Sequence, residues 1–476
     1  MESEKHSRLV MKFGGTSVGS ASAISQAAEI VLAQAIAWPE MVVVVSAMSG
    51  VTDDLVRGSL SAAAGDTQTY QGIAASLTEK HTRVVEDLLA PAGELRDQVL
   101  HFIDRCLAEF STLCHSVCVL GELTPRAQDT ITSIGERINA RIFAALLEQH
   151  GAESQAVDAS EVIVTDDNFQ NASPLAIPTR ERAAARLGKL LEQRVIPVVT
   201  GFIGATTGGL ITTLGRGGSD YSAAILGDCL DADEVWIWTD VDGVMTADPR
   251  VVPNAQVIPV LSYSEVGELA YFGAKVLHPR TIRPVIDRGI PLWVKNTFNP
   301  GIPGTRIERQ SKEVTGTVKA VTAIKGLSMV TVEGRGMMGV PGIAARTFGA
   351  VASQGASVLM ISQASSEQSI CFVVPSETVQ GVIRAIEKEM AVELARQDID
   401  RVWAMDDMVI VTAVGAGMRG TPGVAARLFG ALGGKGINVI AIAQGASECG
   451  VSMVLEARDA AEALRQIHDQ VIMNNK

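Results

Sequence analysis

The chain has 476 residues, of which 47% are apolar and 20% charged, and its formal net charge is −13 from 40 basic and 53 acidic residues. That length corresponds to about three domains, the mix excludes wholesale disorder, and the acidic balance argues against a nucleic acid or an anionic membrane as main partner. No apolar run approaches the ~18 residues of a membrane span, and Met1–Arg8 lacks the apolar core of a secretory signal. Six cysteines fall in no CxxC spacing, which fits a reducing compartment and reads as a cytoplasmic protein. Cys114, His115 and Cys118 could share a helix face as metal ligands, but no second pair accompanies them, and buried thiols are the better reading.

From Leu9 to about Gly304, short apolar runs alternate with longer helical stretches, the pattern of an α/β domain with a largely parallel sheet. Strands are predicted over Leu9–Phe13, Met41–Ser46, Gln155–Val157, Val195–Thr200, Glu234–Trp238 and Pro291–Val294. A helical block from about Tyr70 to His150 reads as an inserted lobe covering a site. The breakers Asn299-Pro300-Gly301-Ile302-Pro303-Gly304 mark a domain edge, so residues 1–304 are expected to form the first domain.

Beyond that edge the chain repeats itself: Gly339–Ala350 realigns with Gly420–Ala431 at an offset of 81 residues, and the match runs on into Ile361-Ser362-Gln363 and Ile442-Ala443-Gln444. Each copy reads as a βαββα run, giving two small α+β modules of ferredoxin-like type. The first closes with a strand candidate at Ile399–Ala404, whereas the second runs out of chain after its last helix. The unassigned strand Val318–Ile324 is expected to complete the second module. Residues 305–326 then act as linker and strand, 327–404 as an inserted module and 405–476 as the module around it.

Gly334, Gly336 and Gly339 spell GxGxxG, as do Gly415, Gly417 and Gly420, but a dinucleotide site also needs an acidic residue at the end of the second strand. Those strands end in Gln363 and Gln444, whose carboxamides suit a small ligand with donors and acceptors, such as an amino acid.

Two other glycine loops carry the chemistry. Lys12-Phe13-Gly14-Gly15-Thr16-Ser17 ends the opening strand with a cation and two residues that let backbone N–H groups approach phosphate oxygens. Gly215-Arg216-Gly217-Gly218-Ser219-Asp220 compresses cation, amides and carboxylate into one loop before a helix, which suits phosphoryl transfer by positioning and charge. Asp220 could equally cap that helix, and Glu136 and Lys275 could be surface charges. No GxSxG signature supports hydrolase chemistry.

Together with Ser46–Thr52, Gly135-Glu136, Thr239–Gly243, Asp248-Pro249-Arg250 and Lys275 with His278-Pro279, these loops resemble the aspartate kinases, and the two repeated modules look like their paired ACT regulatory domains. The resemblance runs from Leu9 to about Ile472. The later half looks most like the kinase portion of enzymes fused to homoserine dehydrogenase; because the chain stops where that second enzyme would begin, a monofunctional enzyme is expected.

The resemblance implies the amino acid kinase fold and the conversion of ATP and L-aspartate to ADP and 4-phospho-L-aspartate with Mg²⁺, the entry step to lysine, threonine and methionine. Lys12 and the Gly14 and Gly15 amides would stabilise the γ-phosphoryl group, with Asp220 orienting the lysine and holding the metal. Glu136 and Arg216 would grip aspartate, with Ser46, Thr52 and Ser219 nearby. Gly217, Gly218, Thr239, Asp240, Arg250 and Lys275 would line the ATP site. Met245 replaces a Tyr that some members carry near the adenine. Gln363 and Gln444 would bind an inhibitory end product, threonine in first place and lysine in second, in a homodimer or higher homo-oligomer. The alternatives are another carboxylate kinase of the same fold and a non-catalytic amino-acid sensor.

Overall fold

The computed structural model describes residues 8–91, 93–273, 277, 279–309, 318–337, 340–363, 368–445 and 448–475. The chain divides into two bodies, one made of Met1–Val244, Pro259–Tyr263 and Leu277–Ser311, the other of Met245–Ile258, Ser264–Val276 and Lys312–Lys476. No helix among the described residues is long and apolar enough to cross a membrane.

The first body begins with β1 (Arg8–Phe13), α1 (Ala21–Gln34) and β2 (Glu40–Val45). Both strands are buried almost end to end, as expected of unbroken apolar runs covered on both faces. Ser20 starts α1 by accepting the Ala23 N–H at 3.2 Å. After α2 (Val51–Ala63), which precedes it, the helical block resolves into α3 (Thr67–Leu88), α4 (Glu94–Leu120), α5 (Pro125–Thr132) and α6 (Ile134–Gln149). Asp66 and Thr124 cap α3 and α5, and Pro125 occupies the first turn of α5, where a missing N–H costs nothing.

The chain continues through β3 (Ser154–Val157), β4 (Val164–Thr165), α7 (Ala176–Ala183), α8 (Lys189–Glu192), β5 (Ile196–Thr200), β6 (Ile203–Thr206), β7 (Ile211–Thr213), α9 (Gly218–Cys229) and β8 (Glu234–Thr239). After β9 (Val260–Ser262), α10 (Tyr263–Tyr271) and α11 (Pro279–Arg288) come β10 (Leu292–Asn296) and β11 (Thr305–Glu308). The main sheet has eight strands in the order β3-β5-β2-β1-β8-β10-β11-β9, parallel from β3 through β10. Phe13 stacks on Trp238 across the β1–β8 pair, with ring centroids 5.9 Å apart, and packs against Phe143 of α6. The helical lobe and the central strands therefore share one core.

The strand expectations match β1, β2, β3, β5, β8 and β10 to within a residue or two. The edge expected at Gly304 is displaced. Thr305–Glu308 pairs antiparallel with β10 as β11, because the Asn299–Gly304 breakers turn the chain back onto its own sheet. The short sheet β4-β6-β7 was not anticipated, since runs of two to four residues leave no readable period.

In the second body, β12 (Ala320–Glu333), α12 (Ile343–Ser353), β13 (Met360–Gln363), β14 (Ser369–Pro375) and α13 (Val379–Glu389) form the first βαββα run. After α14 (Ala391–Arg396), the second is β15 (Arg401–Val414), α15 (Val424–Gly433), β16 (Ala441–Gln444), β17 (Gly450–Glu456) and α16 (Ala460–Ile467). All six strands join in one antiparallel sheet, β13-β14-β12-β15-β17-β16. Ala320–Ile324 pairs with Ile410–Val414 of β15, whose other side carries β17. What reads in sequence as separate strands at 318–324 and 399–404 is each half of a 14-residue strand. The two long strands pass each other with register shifts between Ile324 and Met329. Helices α12 and α13 cover one core and α15 and α16 another.

The rejected GxGxxG has a packing explanation. A Cβ at Gly334 would overlap the Asp398 carbonyl oxygen, and one at Gly336 would come 2.5 Å from Asp398 Cα, so these glycines admit a neighbouring backbone segment. Gly339 lies outside the described residues. Gly334→Ala should therefore lower stability by about 1–3 kcal/mol, read as a lower urea midpoint; an unchanged midpoint would contradict the close approach.

Candidate active site

The parallel strands of the first body end on one side, and loops from those carboxyl ends enclose a cavity of about 550 Å³. Lys12, Gly15, Ser46, Thr52, Glu136, Arg216, Gly217, Gly218, Ser219 and Asp220 all line it. Sequence positions 12, 46–52, 136 and 216–220 thus converge.

Lys12 projects from β1 and is only 8% exposed. Its Nζ lies 2.5 Å from Asp220 Oδ1, in the first turn of α9. Gly217, with φ of 74°, forms the bend before that helix, and no side chain caps it. Asp220 is thus committed to the lysine rather than to a cap, and the helix N-terminus adds a favourable field for anions. Gly201 lets the turn after β5 approach the loop: a Cβ there would stand 2.6 Å from Ser219 Oγ.

Glu136 sits in the first turn of α6, 3% exposed, with Oε2 lacking any hydrogen-bond partner. Burial pushes its carboxyl up to about 8, opposed only in part by the backbone N–H groups of Ala47 and Glu136 itself. One turn on, Asn139 Nδ2 donates to the Ser46 carbonyl at 2.6 Å and fixes the β2–α2 turn against α6. A carboxyl with one oxygen unsatisfied, buried in a cavity wall, is a group suited to a cationic ligand.

Other expectations fare differently. The Gly14 N–H donates to the Trp238 carbonyl at 3.1 Å, continuing the β1–β8 pairing, so it is not a free phosphate ligand; Gly15 alone of the pair lines the cavity. Thr239 and Asp240 stand at the carboxyl end of β8, joined by a 3.1 Å side-chain hydrogen bond, but do not line this cavity. Arg250 belongs to the second body and pairs with Asp248 at 2.7 Å. Lys275 and His278 lie outside the described residues. Gln363 and Gln444 end the edge strands β13 and β16, and both are exposed.

Two wall residues escaped the sequence reading. Asp129, 1% exposed, accepts hydrogen bonds from Gln170 N (2.9 Å), Thr213 N (3.0 Å) and Thr213 Oγ1 (2.8 Å), tying α5 and β7 together just before the Arg216 loop. Phe202 holds φ of 68°, uncommon for an aromatic residue, with its N–H on Ser222 Oγ and its carbonyl taking the Leu214 N–H. Neither has a local sequence signal, because the partners are far apart along the chain.

Among the described residues no group of three or more His, Cys, Asp or Glu side chains converges on a metal site. A Mg²⁺ held by Asp220 together with substrate phosphates and water fits that donor set, since this ion seldom uses an all-protein cage.

Residues 7–296 match the amino acid kinase family, and residues 330–390 and 411–471 each match an ACT domain. The chain is 39% identical to a chloroplastic bifunctional aspartokinase/homoserine dehydrogenase of Zea mays, over 98% of this chain and 50% of that protein. It is 32% identical to chloroplastic aspartokinase 2 of Arabidopsis thaliana, over 98% of this chain and 84% of that one. This chain belongs to the aspartokinase family. It spans about half the length of the bifunctional relatives. Crystal structures of E. coli aspartokinase III, one with aspartate and ADP and one with lysine and aspartate, superpose with a TM-score of 0.78 at 30% and 29% identity, covering 97% of this chain and 99% of theirs. The two ACT matches coincide with the βαββα runs of the second body.

Glu136 carries a proton in the folded state that the unfolded chain releases between the ordinary carboxylate range and about 8. Stability of the substrate-free protein should fall as pH rises through that window. Glu136→Gln, which removes the titration, should match wild type near about pH 5 and exceed it near about pH 9 in urea unfolding. Parallel stability curves for the two proteins would contradict the protonated Glu136.

Proposed function

We propose that the chain catalyses transfer of the γ-phosphoryl group of ATP to the side-chain carboxylate of L-aspartate. The observation that carries this reading is the placement in one cavity of the Lys12–Asp220 pair and of Glu136, whose Oε2 has no hydrogen-bond partner. The Lys12 ammonium is held where charge develops on the transferring group, and Asp220 prevents it from swinging away. Glu136 receives the substrate ammonium; its neutral resting form avoids an uncompensated buried charge before the substrate arrives. The exposed Arg216 guanidinium offers a fork to the substrate carboxylate, with Ser46, Thr52 and Ser219 supplying hydroxyls at the same wall. Bound Mg²⁺ would neutralise phosphate charge. A carboxylate oxygen of aspartate forms the new bond to phosphorus, the bond to the β-phosphate bridging oxygen breaks, and ADP leaves.

Thr239 and Asp240 remain proposed for the nucleotide, and residues 327–404 and 405–476 for two regulatory modules. We assign the second body to feedback by an end-product amino acid, threonine before lysine, acting in a homodimer; E. coli aspartokinase III crystallised with lysine supports the ligand class. All six cysteines are unpaired, in keeping with a reducing compartment such as the cytoplasm.

Lys12→Ala and Asp220→Ala should each lower kcat at least ~100-fold in an ADP-release assay with aspartate; a folded variant with near-wild-type kcat would overturn the site. Gln363→Ala and Gln444→Ala should weaken amino-acid inhibition while leaving uninhibited kcat intact, because neither lines the kinase cavity. Titrations with threonine and with lysine decide the matter. Inhibition curves identical to wild type would mean that the glutamines only close their strands.

A further inference from the structure

A second cavity of the first body, about 540 Å³, lies between α4, α6 and the edge strand β3. Arg105 from α4 and Arg137 and Arg141 from α6 converge on it, over an apolar floor that includes Phe102 and Val157. Their spacing explains the convergence: 98, 101, 102 and 105 share one face of α4, and 137, 140 and 141 share one face of α6.

The charges in this cavity do not cancel. Arg137 is matched by Glu109 (3.2 Å) and Asp158 (3.4 Å), and Glu161 is matched by Arg186 (3.0 Å). Arg105 has its guanidinium 5.1 Å over the Phe102 ring, and Arg141 donates only to Gln98 Oε1 at 3.3 Å. Neither Arg105 nor Arg141 has a carboxylate within ion-pair distance among the described residues. Two uncompensated guanidinium groups therefore face one concavity, in a chain whose net charge is −13.

This cavity is separate from the kinase site yet built on the same elements. Glu136 and Arg137 are consecutive on α6, one lining the first cavity and the other the second. Thr200, the last residue of β5, lines the second, while Phe202 lines the first.

We infer that the second cavity is a binding site for a small metabolite carrying two oxyanion charges, held by Arg105 and Arg141. The guanidinium fork matches the paired oxygens of phosphate and carboxylate alike, and stacking on Phe102 holds that of Arg105 in place. With Arg137 engaged by Glu109 and Asp158, and Glu161 by Arg186, these two forks are the groups free to take a ligand's charge.

Calorimetric titration of the full chain with inorganic phosphate, pyrophosphate and citrate, each into the millimolar range, tests the site and separates the phosphate source from the carboxylate source. Wild type should bind at least one of them saturably, one per chain. Arg105→Gln/Arg141→Gln should weaken that binding at least ~10-fold, as expected for loss of charge-assisted hydrogen bonds, while Arg216→Gln in the kinase cavity should leave it unchanged. Circular dichroism and ADP release with aspartate verify that the double variant is folded and retains its basal activity. Absence of saturable binding by all three probes overturns the proposal. So does binding that survives Arg105→Gln/Arg141→Gln, or that Arg216→Gln removes instead.

Discussion

A lysine ammonium held almost out of water at the end of a central parallel strand is the constraint around which the first body is arranged. Lys12 is 8% exposed, and an isolated buried charge would cost several kcal/mol. Asp220, 2.5 Å away, offsets that cost, but only if the first turn of α9 comes up to the end of β1. The left-handed Gly217 makes the turn into α9, and Gly201 lets Ser219 close against the neighbouring loop. The Gly14–Trp238 hydrogen bond locks the strand end beside β8. Each local oddity of sequence in this region serves that single pair.

Glu136 poses the opposite problem. Lys12 has a partner within the protein, whereas Glu136 is buried with an oxygen that no protein group satisfies, and burial holds it neutral up to about pH 8. A site with one charge compensated internally and one buried carboxyl kept neutral with an unsatisfied oxygen is completed by a cationic ligand group, beside which the carboxyl can ionise. The amino-acid substrate we propose would bring such a group together with a carboxylate for Arg216. That complementarity is what favours an amino acid over a nucleotide or a simple dicarboxylate as phosphoryl acceptor.

How much of this was legible in the sequence depended on the range of the interactions. The central strands announced themselves as unbroken apolar runs, and the repeat announced the two α+β modules, because both signals are local or periodic. Lys12 and Arg216–Asp220 stood out through their glycine loops, whereas Glu136, on a helix and indistinguishable there from a surface charge, stood out only through the family resemblance. Asp129 and Phe202 did not, since Asp129 is explained only by Gln170 and Thr213, 41 and 84 residues away. The Gly14 amide's partner was hidden for a similar reason: its acceptor, the Trp238 carbonyl, is a backbone atom that no side-chain pattern reports. The fused strands β12 and β15 were read as separate pieces because polar and glycine residues near Lys325-Gly326 and Asp406-Asp407 look like breaks, yet Gly326 (φ 74°) and Asp407 (φ 56°) take up the irregularity within continuous strands.

The second body repeats one unit twice and merges the copies through those two strands, so the two helical layers it carries are mechanically part of one sheet. A ligand bound at either edge strand, as proposed, would act on a shared element. The kinase reading itself rests on the chemistry of the first cavity. Its most direct test is NMR of the full chain incubated with ATP, Mg²⁺ and L-aspartate labelled with ¹³C at the side-chain carboxyl. The account predicts a new labelled-carbon signal split by coupling to phosphorus, growing with ADP; ADP formation without that splitting, or phosphorylation of another group, would contradict it.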